Sequence, residues 1–247
     1  MKERGLVYIG TFCITIVMLV HSPVNAQPTD ATPLDPSITV LPLEFPVPTP
    51  SPEAYQAAIK GKKTMERLVG NNDKEARELG FNRAVDAADS NTELGTPYSI
   101  IRIDFDKLRD YEPTTSPLTL LIPTTEFIYP ITVQGEVQSS LTVTGIRRGS
   151  PANTVWRTTE WGFAGLIKAL DTASKIAQAS PSRFHLVIRP LSRFFLGDFS
   201  GGRFVIIPLS DEPRLFLKRG NKMPAQDVFA ALKSEASSIS IMPKRRP

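Results

Sequence analysis

The chain has 247 residues, a formal net charge of +4, 22 prolines, two histidines and one cysteine. The cysteine is Cys13 and one histidine is His21, so the 221 residues beyond Ala26 have no thiol and a single imidazole, His185. Disulfide staples, thiol catalysis and Cys-type or multi-His metal centres are thereby excluded there, and stability must come from a hydrophobic core, which this length can supply.

Lys2 and Arg4 precede an apolar run over 6–20 and the small-residue site Val24-Asn25-Ala26, the pattern of a secretory signal peptide over 1–26. The run falls short of the roughly 20 residues a span needs and is interrupted by Thr11 and Thr15. Cleavage near Ala26 is therefore expected, with export to the periplasm or the extracellular space and no transmembrane anchor afterwards. Cys13 lies inside the apolar run and not at its end, which argues against a lipid anchor.

Residues 27–52 hold eight prolines, which remove ladder donors and break helices. This segment reads as an extended, proline-rich leader. Its apolar residues Ile38, Val40, Leu41, Phe45 and Val47 lead to the expectation that part of it lies against the domain. Ser51-Pro52-Glu53 then opens a helix to about residue 69, with an N-cap hydroxyl, a first-turn proline and an acid at the positive end. A second helix is read from 73 through Leu79, Phe81, Ala84, Val85 and Ala88, followed by a loop over 91–97. Then come a strand at 98–105, a helical turn at 106–111 and an extended run at 118–122. Strands at 127–133 and 136–145 flank Gln134-Gly135, and the alternation of Val137, Leu141 and Val143 with polar residues predicts a hairpin with one wet face. A strand at 154–161 follows. Leu166, Ile167, Leu170, Ala173, Ile176 and Ala177 then recur at helical spacing over 163–178. Four more strands are read at 184–189, 193–199, 203–209 and 214–218, with a turn at 200–202, and Pro224 opens a last helix carrying Val228, Phe229 and Leu232 inward.

The class is α+β, with mainly antiparallel β-meanders and packed helices in one globular domain over 53–240. The element order allows a division into two helix-plus-four-strand lobes, 53–162 and 163–240. Residues 241–247 form a basic tail.

Few motifs carry chemistry. Gly197-Asp198-Phe199-Ser200-Gly201-Gly202 resembles the nucleophile loop of trypsin-like serine proteases, but Phe199 separates the acid from the serine. The sole base, His185, lies just upstream on a neighbouring strand, so the stretch is read as a hairpin turn. Asp104-Phe105-Asp106 has the D-x-D spacing of some metal-dependent sugar-transfer sites, yet its place at a strand end suits a cap on the following turn, assigned to Asp106. Trp156 and Trp161, five apart, face opposite sides of a regular strand. No catalytic residue, metal site or cofactor is assigned.

Charge is uneven: 27–52 carries three acids and no base, whereas 181–222 carries eight bases and three acids. Period two puts Arg183, His185 and Arg189 on one strand face, with Arg193 and Arg203 flanking the next hairpin, a pattern suited to an acidic partner. The function expected is that of an exported, non-catalytic binding or scaffold module that docks a protein, peptide or acidic polymer. Nucleic acid is excluded as a partner by the modest charge and the export signal. The alternative is a hydrolase or transferase working with carboxylates alone, drawn from Asp104, Asp106, Glu126, Glu160 and Asp198.

Overall fold

The structure, a computed structural model, describes residues 45–88, 90–178, 184–189, 193–199 and 204–238. The segment expected to be a signal peptide, the expected leader up to residue 44, the turn expected at 200–202 and the basic tail lie outside the described residues. So do Arg183 and Arg203.

The fold is α+β, built on a sheet in the order β5-β4-β3-β2-β6-β7-β8-β9, with β1 (Thr92–Leu94) pairing β3 off this path. After β1, the chain starts the main path at β2 (Tyr98–Ile103) and then walks outward through β3 (Leu121–Val133), β4 (Glu136–Arg148) and β5 (Ser150–Trp161), all antiparallel. Helix α4 (Ala164–Ile176) follows, and β6 (Phe184–Arg189) lies parallel to β2, pairing Ile100 with Leu186 and Arg102 with Ile188. From there β7 (Arg193–Asp198), β8 (Val205–Pro208) and β9 (Met223–Pro224) walk outward on the other side. The two meanders thus share one sheet, joined along β2 and β6. That parallel seam has no local sequence signal, because the two strands it joins lie far apart in the chain.

Both faces of the sheet are covered. On one, α1 (Pro52–Val69) sets Ala54, Ala57, Ala58 and Met65 against Phe127, Tyr129, Ile131, Leu141 and Val143. The same face carries Ile101, Ile103, Phe195 and Ile206 under α5 (Ala225–Ser238), whose Val228, Phe229 and Leu232 are buried as expected. On the other face α4 buries Ile167, Leu170 and Ala173 against Tyr98, Ile100, Ile128, Leu196 and Ile207. The central hairpin consequently has no wet face: Ser139, Ser140 and Thr142 are all buried, and Ser139 donates to the Leu79 carbonyl at 2.5 Å. Its turn is as expected, with Gln134 at φ 52° and Gly135 at φ 80° between paired Val133 and Glu136, a two-residue loop of the primed type.

Several elements depart from the sequence reading. The second helix, α2 (Asp73–Glu78), is only six residues long; Gly80 at φ 98° turns the chain, and Ala84–Ala87 is a separate 3₁₀ turn tied back by Ala84 N–H donating to Asp73 Oδ1 at 2.7 Å. Residues 92–94, read as loop, pair with β3 as β1. Residues 117–120, partly read as extended, form a 3₁₀ turn opened by Pro117. Asp104, and not Asp106, caps the helix that follows, α3 (Phe105–Arg109), by accepting from Lys107 N–H at 3.2 Å. The two tryptophans lie on the same face, both against the α1 cluster. A bulge in β5 between the Thr142–Glu160 and Val143–Thr158 pairs shifts the parity by one, so five residues of separation return the ring to the same side.

The leader meets the domain at Phe45, which stacks on Phe199 with centroids 5.3 Å apart. Phe199 stacks on Phe204 at 4.4 Å, and Phe204 meets Phe229 edge-on at 5.9 Å. The aromatic series therefore runs from the end of the leader into the core beneath α5.

Candidate functional site

The residues 214–218, read from sequence as a strand, form a compact projecting loop. Pro213 supplies no N–H for a ladder and begins a 3₁₀ turn, Pro213–Leu215. Glu212 and Leu217 close the base by exchanging backbone bonds, 2.8 Å from Glu212 N–H to Leu217 O and 3.2 Å in return. Leu215 N–H also reaches Glu212 O at 3.0 Å, and Phe216 N–H reaches Pro213 O at 3.2 Å. Asp211 Oδ1 accepts from Arg219 N–H at 2.7 Å, and Gly220 N–H donates to Pro208 O at 3.0 Å, so the loop is fastened on both sides.

The consequence is Phe216. Leu217 turns inward and is 3 % exposed, Leu215 is half-buried, and Phe216 between them is 90 % exposed at φ 56°. The left-handed region is disfavoured for a residue with a bulky side chain, and a large aromatic so fully in water gains nothing from the fold. Arg214 before it and Lys218, Arg219 and Lys222 after it in sequence are all exposed, and 213–222 contains no acid. Beside the loop a recess of about 670 Å³ is lined by Ser210, Asp211, Glu212, Arg214, Ser234 and Glu235, among others. Sequence reading missed this site by treating it as a strand; the signal that was available is Pro213.

Of the residues assigned from sequence, the β6–β7 register sets Arg189 opposite Arg193 and His185 opposite Gly197, each pair joined across the strands. Arg183 and Arg203 fall outside the described residues. The carboxylates do not gather. Asp104 caps α3 and lies 3.6 Å from Lys107 Nζ. Glu126 is held by Arg102, whose Nη2 donates to both carboxylate oxygens at 3.0 and 3.1 Å. Asp198 is buried at the end of β7, opposite Phe184 and Val205, while Asp106 and Glu160 lie on other elements. Among the described residues no group of three or more His, Cys, Asp or Glu is placed to hold a metal ion, and no helix is long and apolar enough to cross a membrane.

Comparison with protein-family models, with curated proteins and with solved structures finds no significant match to this chain.

Proposed function

We propose that this is an exported, non-catalytic docking module for an acidic partner, and that the contact is made by the loop 211–222 together with the basic β6–β7 hairpin end. The observation that carries the reading is Phe216: an aromatic exposed to water, in a disfavoured backbone conformation on a loop closed by backbone hydrogen bonds, in a stretch of sequence with four exposed cations. Tight backbone closure means that little ordering is needed on binding, so contact energy is not offset by loop entropy. Arginine and lysine favour carboxylate and phosphate groups, and the arginines can do so through paired hydrogen bonds. The arginines of the 189–193 hairpin add charge of the same sign in the same third of the sequence. Against the carboxylate-enzyme alternative, Asp104 and Glu126 are engaged in a helix cap and a two-oxygen pairing with Arg102.

The test is retention on immobilised polyglutamate across a salt gradient. Lys218→Glu with Lys222→Glu should elute at clearly lower salt than the parent while melting at the same temperature, because both side chains are exposed. Equal elution of parent and double variant, with Arg189→Glu and Arg193→Glu also without effect, would remove the docking reading.

A further inference from the structure

Phe216 is the one large apolar side chain exposed along the described loop 211–222. Protein partners are gripped by patches, in which a desolvated apolar or aromatic centre is surrounded by a polar rim and some 800 Å² is buried on each side. One exposed ring in the loop, with Leu217 turned inward, cations before and after it in sequence and the half-exposed Ile176 against Gly220, falls well short of such a centre. A lipid interface requires none: a single aromatic gains by the depth to which it is immersed, and nearby lysines and arginines gain from the negative potential of the headgroup layer. The chain composition around the tip matches that division, with the apolar group at the turn and Arg214, Lys218, Arg219 and Lys222 flanking it without an acid between 213 and 222. The backbone matches it too. Six hydrogen bonds hold the loop from Asp211 to Gly220, so the ring is presented without a folding step.

We propose that the loop 211–222 is an anchor for an anionic membrane surface, with the Phe216 ring entering the boundary between headgroups and acyl chains and the four cations bound to headgroup phosphates around it. The proposal rests on the docking reading and names its partner: the acidic surface is that of a lipid bilayer. It describes a chain that lies on a membrane without crossing it.

Co-sedimentation with vesicles of phosphatidylcholine, with and without phosphatidylglycerol, tests it on the processed chain from Gln27 onward. Binding is expected only when phosphatidylglycerol is present and should weaken as salt is raised. Phe216→Ala should weaken partitioning about tenfold or more, the loss expected for an immersed phenyl ring. Lys218→Glu with Lys222→Glu should also weaken it by more than about tenfold. Phe216→Gly removes the ring while accommodating the left-handed backbone, so it keeps the test decisive if the alanine variant folds poorly. Phe216→Trp should add blue-shifted emission with anionic vesicles and none with neutral ones. No binding to anionic vesicles, or binding that both Phe216 variants leave within about twofold of the parent, overturns the anchor. Retention on polyglutamate without vesicle binding would overturn the anchor and keep the docking module; loss of both would overturn both.

Discussion

Tyr129 is fully buried beneath α1, and its hydroxyl meets no hydrogen-bond partner among the described residues. Burial pushes its phenol up to about 12, with a smaller contribution from the nearby Tyr55. Burial also pushes Tyr98 up to about 12; Ser174 opposes the shift through a hydrogen bond, and Asp171 reinforces it. Both groups stay neutral in the folded chain after they would ionise in the unfolded one. Their contribution to stability is therefore intact below about pH 10 and is lost progressively as pH rises toward 12, because the unfolded state releases its protons first. Each tyrosine should cost about 1 kcal/mol at pH 11, read from denaturant melts alongside tyrosinate absorbance. Tyr129→Phe removes the unpaired hydroxyl. It should leave neutral-pH stability unchanged or raise it by up to about 1 kcal/mol, and should flatten the alkaline loss. A loss of 2 kcal/mol or more at neutral pH would mean that the hydroxyl is bonded after all.

At the level of elements, α1 and β5 are fitted to each other through Gly61. A Cβ there would collide with the Thr158 side chain, whose hydroxyl donates to Ala57 O at 2.9 Å, while Trp161 Nε1 donates to Gly61 O at 3.1 Å. Glycine inside a helix ordinarily costs about 1 kcal/mol relative to alanine, so propensity alone predicts that Gly61→Ala stabilises. The contact predicts the reverse, a net loss of about 1–3 kcal/mol from overpacking, measured by urea melts; an increase in stability would show that α1 can lift from β5 without cost.

The same pair of elements shows where sequence was readable. The start of α1 was, because Ser51, Pro52 and Glu53 act on their own turn: Ser51 Oγ accepts from Ala54 N–H at 3.2 Å. The Gln134-Gly135 reversal was readable for the same reason. The bulge that brings Trp156 and Trp161 to one face was not, since it is a matter of register between strands and leaves no mark on spacing. The end of α2 was hidden by apolar residues that continue at plausible spacing past Gly80, although Phe81 and Ala84 belong to the α1 cluster by tertiary packing and not by helix. At the candidate site the basic character of 214–222 was visible, but the exposure of Phe216 was not. Alternation counts an aromatic as core, and only the closure of Glu212 on Leu217 turns it out.

Across the whole molecule, the sheet is begun in its middle and finished at both rims. Of the strands on the main path β2 is made first, and one of its edges is taken by β3, while the other must wait for β6. During synthesis there is thus an interval in which Ile100, Ile101 and Arg102 present open ladder groups next to a meander that is otherwise complete through β5 and α4. A chain ended after residue 178 should stay in that condition, recovered as aggregate or bound to chaperone, and should bind a dye specific for exposed apolar surface far more than the full chain does. Soluble, monomeric behaviour of the shortened chain would mean that the first meander closes its own edge. If the edge does stay open, an incomplete chain is marked by a central strand with one side unpaired, and arrival of the second half removes the mark.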